Sequence, residues 1–324
     1  MGAITQSFGL FGATGEVGRA FFDALEEQAA FVGRLRLFAS ERSDEESRVF
    51  RDKPLAVEAT DTADFDDLNE AILAVPADVA DDLAGRLLAA GVRVWDVSGH
   101  LRAHPQAVPL AEADGNSLLV VLDDPLLTVL TPLLHAIGEL SPLTRVDLSV
   151  LAPVSARGKA GVRELARQAG DLLNGRGITV ETWPQQVAFN VLTADGALDA
   201  AGNSPRERRL LQGLGRALPG VALQLRQFIV PVFYGAVIDL RWSQADAVGR
   251  DALLAACKRV PVSRLHDKGD PTAMPSPVGE GVNNDRVIMS RLQVTGQSGQ
   301  MTVLADPLRA GLVRPLLDSL LRLG

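Results

Sequence analysis

Cysteine occurs once in the 324 residues, at Cys257, so an intramolecular disulfide framework is excluded. Histidine is almost as scarce. His100, His104, His135 and His266 offer no cysteine partner at ligand spacing, and the pair four residues apart, His100 and His104, runs up to Pro105 in what reads as loop, so no metal site is expected. Basic residues are outnumbered 32 to 40, giving a formal net charge of -8. With neither a basic run nor an aromatic-and-arginine patch to follow a phosphate backbone, nucleic acid is not an expected partner. A charged-then-apolar leader and an apolar run long enough for a bilayer are both missing, so a soluble, cytoplasmic protein without a membrane partner is expected.

What is present has two textures, and the length favours two domains. From Gln6 to Leu122, short apolar runs ("SFGLFG", "RLRLFAS", "NEAILAV", "VRVWDVS", "SLLVVL") alternate with helical patterns over Glu16–Glu27 and Ala77–Ala90. That alternation predicts an α/β fold with a mostly parallel sheet, a Rossmann-like N-terminal domain. After a helix over Leu126–Glu139 the pattern changes to longer strands ("TRVDLSVLA", "LQLRQFIVPVFYGAVIDLRW", "DRVIMSRLQV", "GQMTVLAD") around a long amphipathic helix over Gly161–Asn174. This half reads as an α+β domain with a broad mixed or antiparallel sheet of the kind that pairs subunits. The expected boundaries are 1–128 for the first domain and 129–303 for the second. Residues 304–324, a helix begun by Pro307 and carrying Pro315, return to the first.

"GLFGATGEVGRAFFDAL" sets Gly12, Gly15 and Gly18 between a strand and a helix. Glycines there permit a tight turn and close approach of a phosphate to backbone N–H groups, at a helix end whose dipole favours anions. The expected dinucleotide site is Gly12, Ala13, Thr14, Gly15, Glu16, Val17 and Gly18. Ser40, Arg42 and Ser43, after the second strand, are candidates for an NADP 2′-phosphate, although Asp44, Glu45 and Glu46 follow at once and oppose one.

With these motifs in order, the chain resembles the aspartate-semialdehyde dehydrogenase family, whose members reduce an acyl phosphate to an aldehyde with NADPH through a cysteine thioester. "GATGEVG", "LFASERS", "VWDVSGHLR", "AFNVL", "GNSPRERRLL", "IVPVFYGAV" and "DPLRAG" are each similar to a family signature, and together they cover nearly the whole length. The resemblance implies that Arg102 meets substrate phosphate, Glu207 meets the substrate amino group, and Arg209 stands at a phosphate-contacting lysine position. It also exposes losses. Family chemistry needs a thiolate at a helix N-terminus after the last strand of the nucleotide domain, where this chain reads "VLDDPLL". Asp124 before Pro125 suits a helix cap instead. The family arginine that binds the substrate carboxylate falls at Ile229, its acid–base histidine at Ala236, its active-site glutamine at Ala152, and its nicotinamide-end asparagine at Pro307.

Joint loss of nucleophile, proton shuttle and substrate anchor leaves no catalytic residue to name. Ser98 and His100 are neighbours in sequence without forming a triad. The expected function is a catalytically silent family member serving as scaffold, sensor or regulatory partner. It would form a homodimer through its second domain or pair with an active family relative. The alternative is an NAD(P)-dependent oxidoreductase that acts on a small aldehyde or other carbonyl without a thioester.

Overall fold

The computed structural model describes residues 6–28, 33–40, 47–266 and 274–323. They fall into two compact units, Met1–Asp124 with Leu312–Gly324, and Pro125–Gly311.

The first unit runs β1 (Ser7–Phe11), α1 (Glu16–Glu27), β2 (Arg34–Ala39), β3 (Ser47–Phe50), β4 (Lys53–Ala59), β5 (Glu70–Leu73), α2 (Ala77–Ala89), β6 (Arg93–Asp96), β7 (Ala107–Pro109) and β8 (Leu119–Val121). Its sheet has the order β3-β4-β2-β1-β5-β6-β8-β7 and is parallel except at the β3–β4 hairpin. β5 and β8 are buried at every position, which is why both read as apolar runs apart from Glu70 at the start of β5: a parallel strand covered on both faces has no solvent side. Phe11 stacks on Phe38 with ring centroids 4.4 Å apart, and Phe65 meets Phe11 edge-on at 5.4 Å. One buried acid in this core, Glu70, is satisfied by Trp95 Nε1 at 2.6 Å and Arg93 at 3.3 Å.

In the second unit come α3 (Pro125–Gly138), β9 (Leu143–Ala152), α4 (Gly158–Leu173), α5 (Pro205–Ala217), β10 (Ala222–Ile229), β11 (Ala236–Gln244), α6 (Arg250–Arg259), β12 (Ser263–His266), α7 (Pro277–Glu280), β13 (Val287–Thr295) and β14 (Ser298–Ala305). The sheet, ordered β10-β9-β11-β14-β13-β12, is mixed, with parallel pairs at both ends and antiparallel pairs between. Alternation along β9 and β11 sends Val146, Leu148, Val150, Ile238, Leu240 and Trp242 into the core. The opposite face carries Arg145 and Asp147, 2.7 Å apart, and Arg241 and Asp239, 2.9 Å apart. No helix among the described residues is long and apolar enough to cross a membrane.

Several features depart from the sequence reading. β3, β4, β7 and β12 were not expected, being short or polar-rich. The last segment is not one helix from Pro307: a wide turn of π type spans Arg309–Val313, and α8 covers Arg314–Leu323. Pro315 therefore sits where the π turn passes into α8, a junction at which the helical hydrogen-bond ladder is already irregular. Because β14 stays paired with β11 and β13 through Ala305, the chain changes unit at 311/312 and not at 303/304.

Candidate functional site

The glycine-rich turn is built as its spacing predicts. Gly12 has φ +78, and a Cβ there would lie 2.2 Å from the Ala74 carbonyl; one on Gly18 would lie 2.2 Å from the Gly12 carbonyl. Both positions therefore require glycine. The Gly12 and Ala13 N–H groups donate to Phe38 O at 2.9 and 3.1 Å, tying the turn to the end of β2. Gly15 is the N-cap of α1, with Glu16, Val17 and Gly18 in its first turn, so their N–H groups have no carbonyl behind them within the helix. Ser40 is exposed just past β2. Arg42 and Ser43 lie outside the described residues, as does the acidic run Asp44–Glu46.

The "DVSGHLR" motif is a self-organised loop. The side chain of buried Asp96 accepts from the Ser98 N–H at 2.9 Å, the Ser98 hydroxyl at 2.5 Å and the Leu101 N–H at 2.9 Å. That clamp holds a short 3-10 turn, His100–Ala103, which presents Arg102. The guanidinium is already engaged. It donates to Asp123 Oδ1 at 2.7 Å and to the Leu122 carbonyl at 3.2 Å, and both charged side chains are 33% exposed. No separate role for Asp123 is legible in the sequence; in the structure it neutralises Arg102. Asp124 directly precedes α3. A contact across 21 residues leaves no periodic trace in sequence, so only the coincidence of an unexplained acid and a motif arginine hinted at it.

In the second unit the positions matched to family catalytic groups are core. Ala152, Ile229 and Ala236 are 1%, 0% and 1% exposed and belong to one apolar cluster. Ile229 pairs with Ala152 across β10 and β9, exchanges both backbone hydrogen bonds with Leu192, and offers no polar neighbour through these pairings. Glu207 is buried and fully engaged: one carboxylate oxygen accepts from Ser204 N at 2.7 Å, the other from Gln227 N at 2.8 Å. The Ser204 hydroxyl completes the reciprocal capping box on α5 by accepting from Glu207 N at 3.3 Å. Arg209 is exposed on α5. Pro307 follows buried Asp306, whose carboxylate accepts from the N–H groups of Asn283, Leu308 and Arg309.

Cys257 is inside α6 and fully buried, and burial pushes its thiol up to about 11. A disulfide-exchange reagent should leave the native protein unlabelled at neutral pH and modify one thiol in denaturant; rapid labelling of native protein would contradict this burial. Among the described residues, no group of three or more His, Cys, Asp or Glu side chains is placed to hold a metal ion.

Residues 7–121 match the family model "Semialdehyde dehydrogenase, NAD binding domain", and residues 130–237 match "Semialdehyde dehydrogenase, dimerisation domain". The chain is 33% identical over 296 residues to a USG-1 protein homolog of Azotobacter vinelandii, covering 88% of this chain and 86% of the relative. It is 27% identical over 319 residues to an aspartate-semialdehyde dehydrogenase of Legionella pneumophila, covering 93% and 91%. In fold it matches the crystal structure of aspartate semialdehyde dehydrogenase II from Vibrio cholerae with a TM-score of 0.90 at 23% identity, covering 97% of each chain.

Proposed function

Since the chain belongs to the semialdehyde dehydrogenase family, we propose that it is a catalytically silent member: a dinucleotide-binding homodimer that senses or scaffolds and does not turn over an acyl phosphate. The observation that carries this reading is the joint fate of the reacting positions. Where the resemblance puts a carboxylate-binding arginine, an acid–base histidine and a glutamine, this chain has Ile229, Ala236 and Ala152, all packed in the core. Hydride transfer through a thioester needs a nucleophile to form the adduct and a base to pass its proton. The only thiol, Cys257, is buried in α6.

Arg102 and exposed Arg209 would be the remaining anchors for an anionic substrate group, and the charge of Arg102 is matched by Asp123. Binding phosphate there means displacing an ion pair already formed within the loop. The reading is tested with inorganic phosphate. Phosphate is expected to raise the melting temperature of Asp123→Asn, in which Arg102 keeps its loop but loses its counter-charge, and to leave the wild-type protein nearly unmoved. Equal stabilisation of both proteins would show that the wild-type anion site is open.

Support for the dinucleotide comes from the strand–turn–helix geometry at Gly12–Gly18, with NADP the candidate cofactor. The homodimer is supported by the dimerisation-domain match over 130–237 and by the open face of the six-stranded sheet. There the paired charges Arg145, Asp147, Asp239 and Arg241 alternate in sign and can complement a second copy of themselves.

A further inference from the structure

Phe189 has a left-handed backbone, with φ +55, a region costly for a bulky side chain, and the residue is 65% exposed. Its neighbours on both sides are pinned. Buried Gln168 on α4 accepts from the Val187 and Ala188 N–H groups at 2.9 and 3.2 Å, Gln186 Nε2 donates to Ala188 O at 2.8 Å, and Asn190 Nδ2 donates to Gln186 O at 2.9 Å. Three amide side chains therefore hold a strained tip in place. The chain then runs along the outer edge of β10, the terminal strand of the six-stranded sheet. Leu192 exchanges two backbone hydrogen bonds with Ile229, Asp195 accepts from Gln227 Nε2 at 3.3 Å, and Arg226 donates to Gly202 O at 3.2 Å. This border covers the sheet edge and itself leaves apolar side chains in water, Val191 at 52% exposed and Leu198 at 56%.

We infer that Phe189 is the anchor on which a second copy of this chain seats, at the rim of the six-stranded sheet. The inference rests on the homodimer reading and names what holds that dimer together. Three of the four outward rungs across β9 and β11 are polar: Asp239 with Ser149, Arg241 with Asp147 and Ser243 with Arg145. Charges so arranged set register and encounter rate, while affinity comes from a few large apolar groups that lose their water. The fourth rung, Val237 with Leu151, is half-buried and continues to Phe228 on β10. That apolar row ends beside Ile229, which Leu192 bridges, so it runs into the border that carries Phe189 and Val191. The whole strip lies inside the dimerisation-domain match, residues 130–237. In a two-fold pairing each copy presents the same strip, so each dimer buries two such rings. Strain at the tip fits this role, because a ring held still before contact loses little freedom on binding. For the protomer alone, glycine or asparagine would take φ +55 at lower cost.

The test is the mass of the full-length protein across a dilution series, by analytical ultracentrifugation, for wild type and Phe189→Asn. Asparagine keeps the left-handed backbone and removes the ring. The dimer dissociation constant is expected to rise by about tenfold or more, the scale of one lost anchor, while the melting temperature of the diluted monomer does not fall. Val191→Thr, of the same shape, should act in the same direction more weakly and serves as the readout if Phe189→Asn does not fold. Val278→Asn, an exposed position on α7 outside the strip, should leave the constant unmoved. A wild-type dimer that Phe189→Asn and Val191→Thr leave equally tight, or a Phe189→Asn monomer that melts early, overturns the inference and leaves the homodimer reading standing. Wild-type protein that stays monomeric at every concentration removes both.

Discussion

Ile229→Arg, which writes the family's carboxylate-binding residue back into this chain, is expected to cost about 4 kcal/mol or more and to leave little folded protein. The argument is one of desolvation. Ile229 has no exposed surface, its strand neighbour across the sheet is Ala152, and its backbone groups are committed to Leu192. A guanidinium placed there would enter an apolar cluster, and neither Ala152 nor Leu192 offers it a carboxylate. An uncompensated buried charge is among the few single changes with so large an effect. Urea unfolding followed by circular dichroism measures it, with Ile229→Met as the volume-conserving control that should lose less than about 1.5 kcal/mol. A folded, near-wild-type Ile229→Arg would mean that a polar substrate pocket persists beside β10 and that the site has not been converted to core.

Glu207→Ala is expected to destabilise by about 2–4 kcal/mol, because two buried N–H groups, those of Ser204 and Gln227, lose their acceptor and the α5 capping box is broken. Glu207→Gln should cost less, since its carbonyl oxygen still serves one of the two. The split matters for function. By resemblance Glu207 is a substrate-contacting acid, but in this chain both of its oxygens are already bound to the backbone. Unchanged stability in Glu207→Ala would show that the carboxylate is held for a ligand and not for the helix.

Much of the fold can be read before any coordinates because its causes are local. The helix predicted over 16–27 occupies Glu16–Glu27, since a glycine N-cap, an acid in the first turn and a clean apolar face all lie within that segment. The parallel sheet shows in short, nearly unbroken apolar strands such as β8, and the mixed sheet in the alternation of β9 and β11. The tight turn shows too, because Gly12 and Gly18 are demanded by backbone clashes that only glycine relieves. What could not be read is pairing over distance. Asp123 with Arg102, Glu207 with Gln227, and Arg48 with the turn are each made by tertiary folding across 20 residues or more. β3 and β4 escaped notice because their burial is partial and charged residues interrupt "SRVF" and "KPLAVEA"; β3 is moreover an edge strand.

These long-range pairs bear on activity in one direction. Arg102 with Asp123 and Glu207 with Gln227 commit polar groups to which the resemblance gives substrate roles, and on the proposed reading the apolar residues at 152, 229 and 236 take the place of the rest. The direct measurement is NADP reduction by purified protein given aspartate semialdehyde and inorganic phosphate, followed by absorbance. The account predicts a rate equal to that of the protein-free mixture at every protein concentration. A rate that rises in proportion to protein and disappears when Asp123 is replaced by alanine would contradict it.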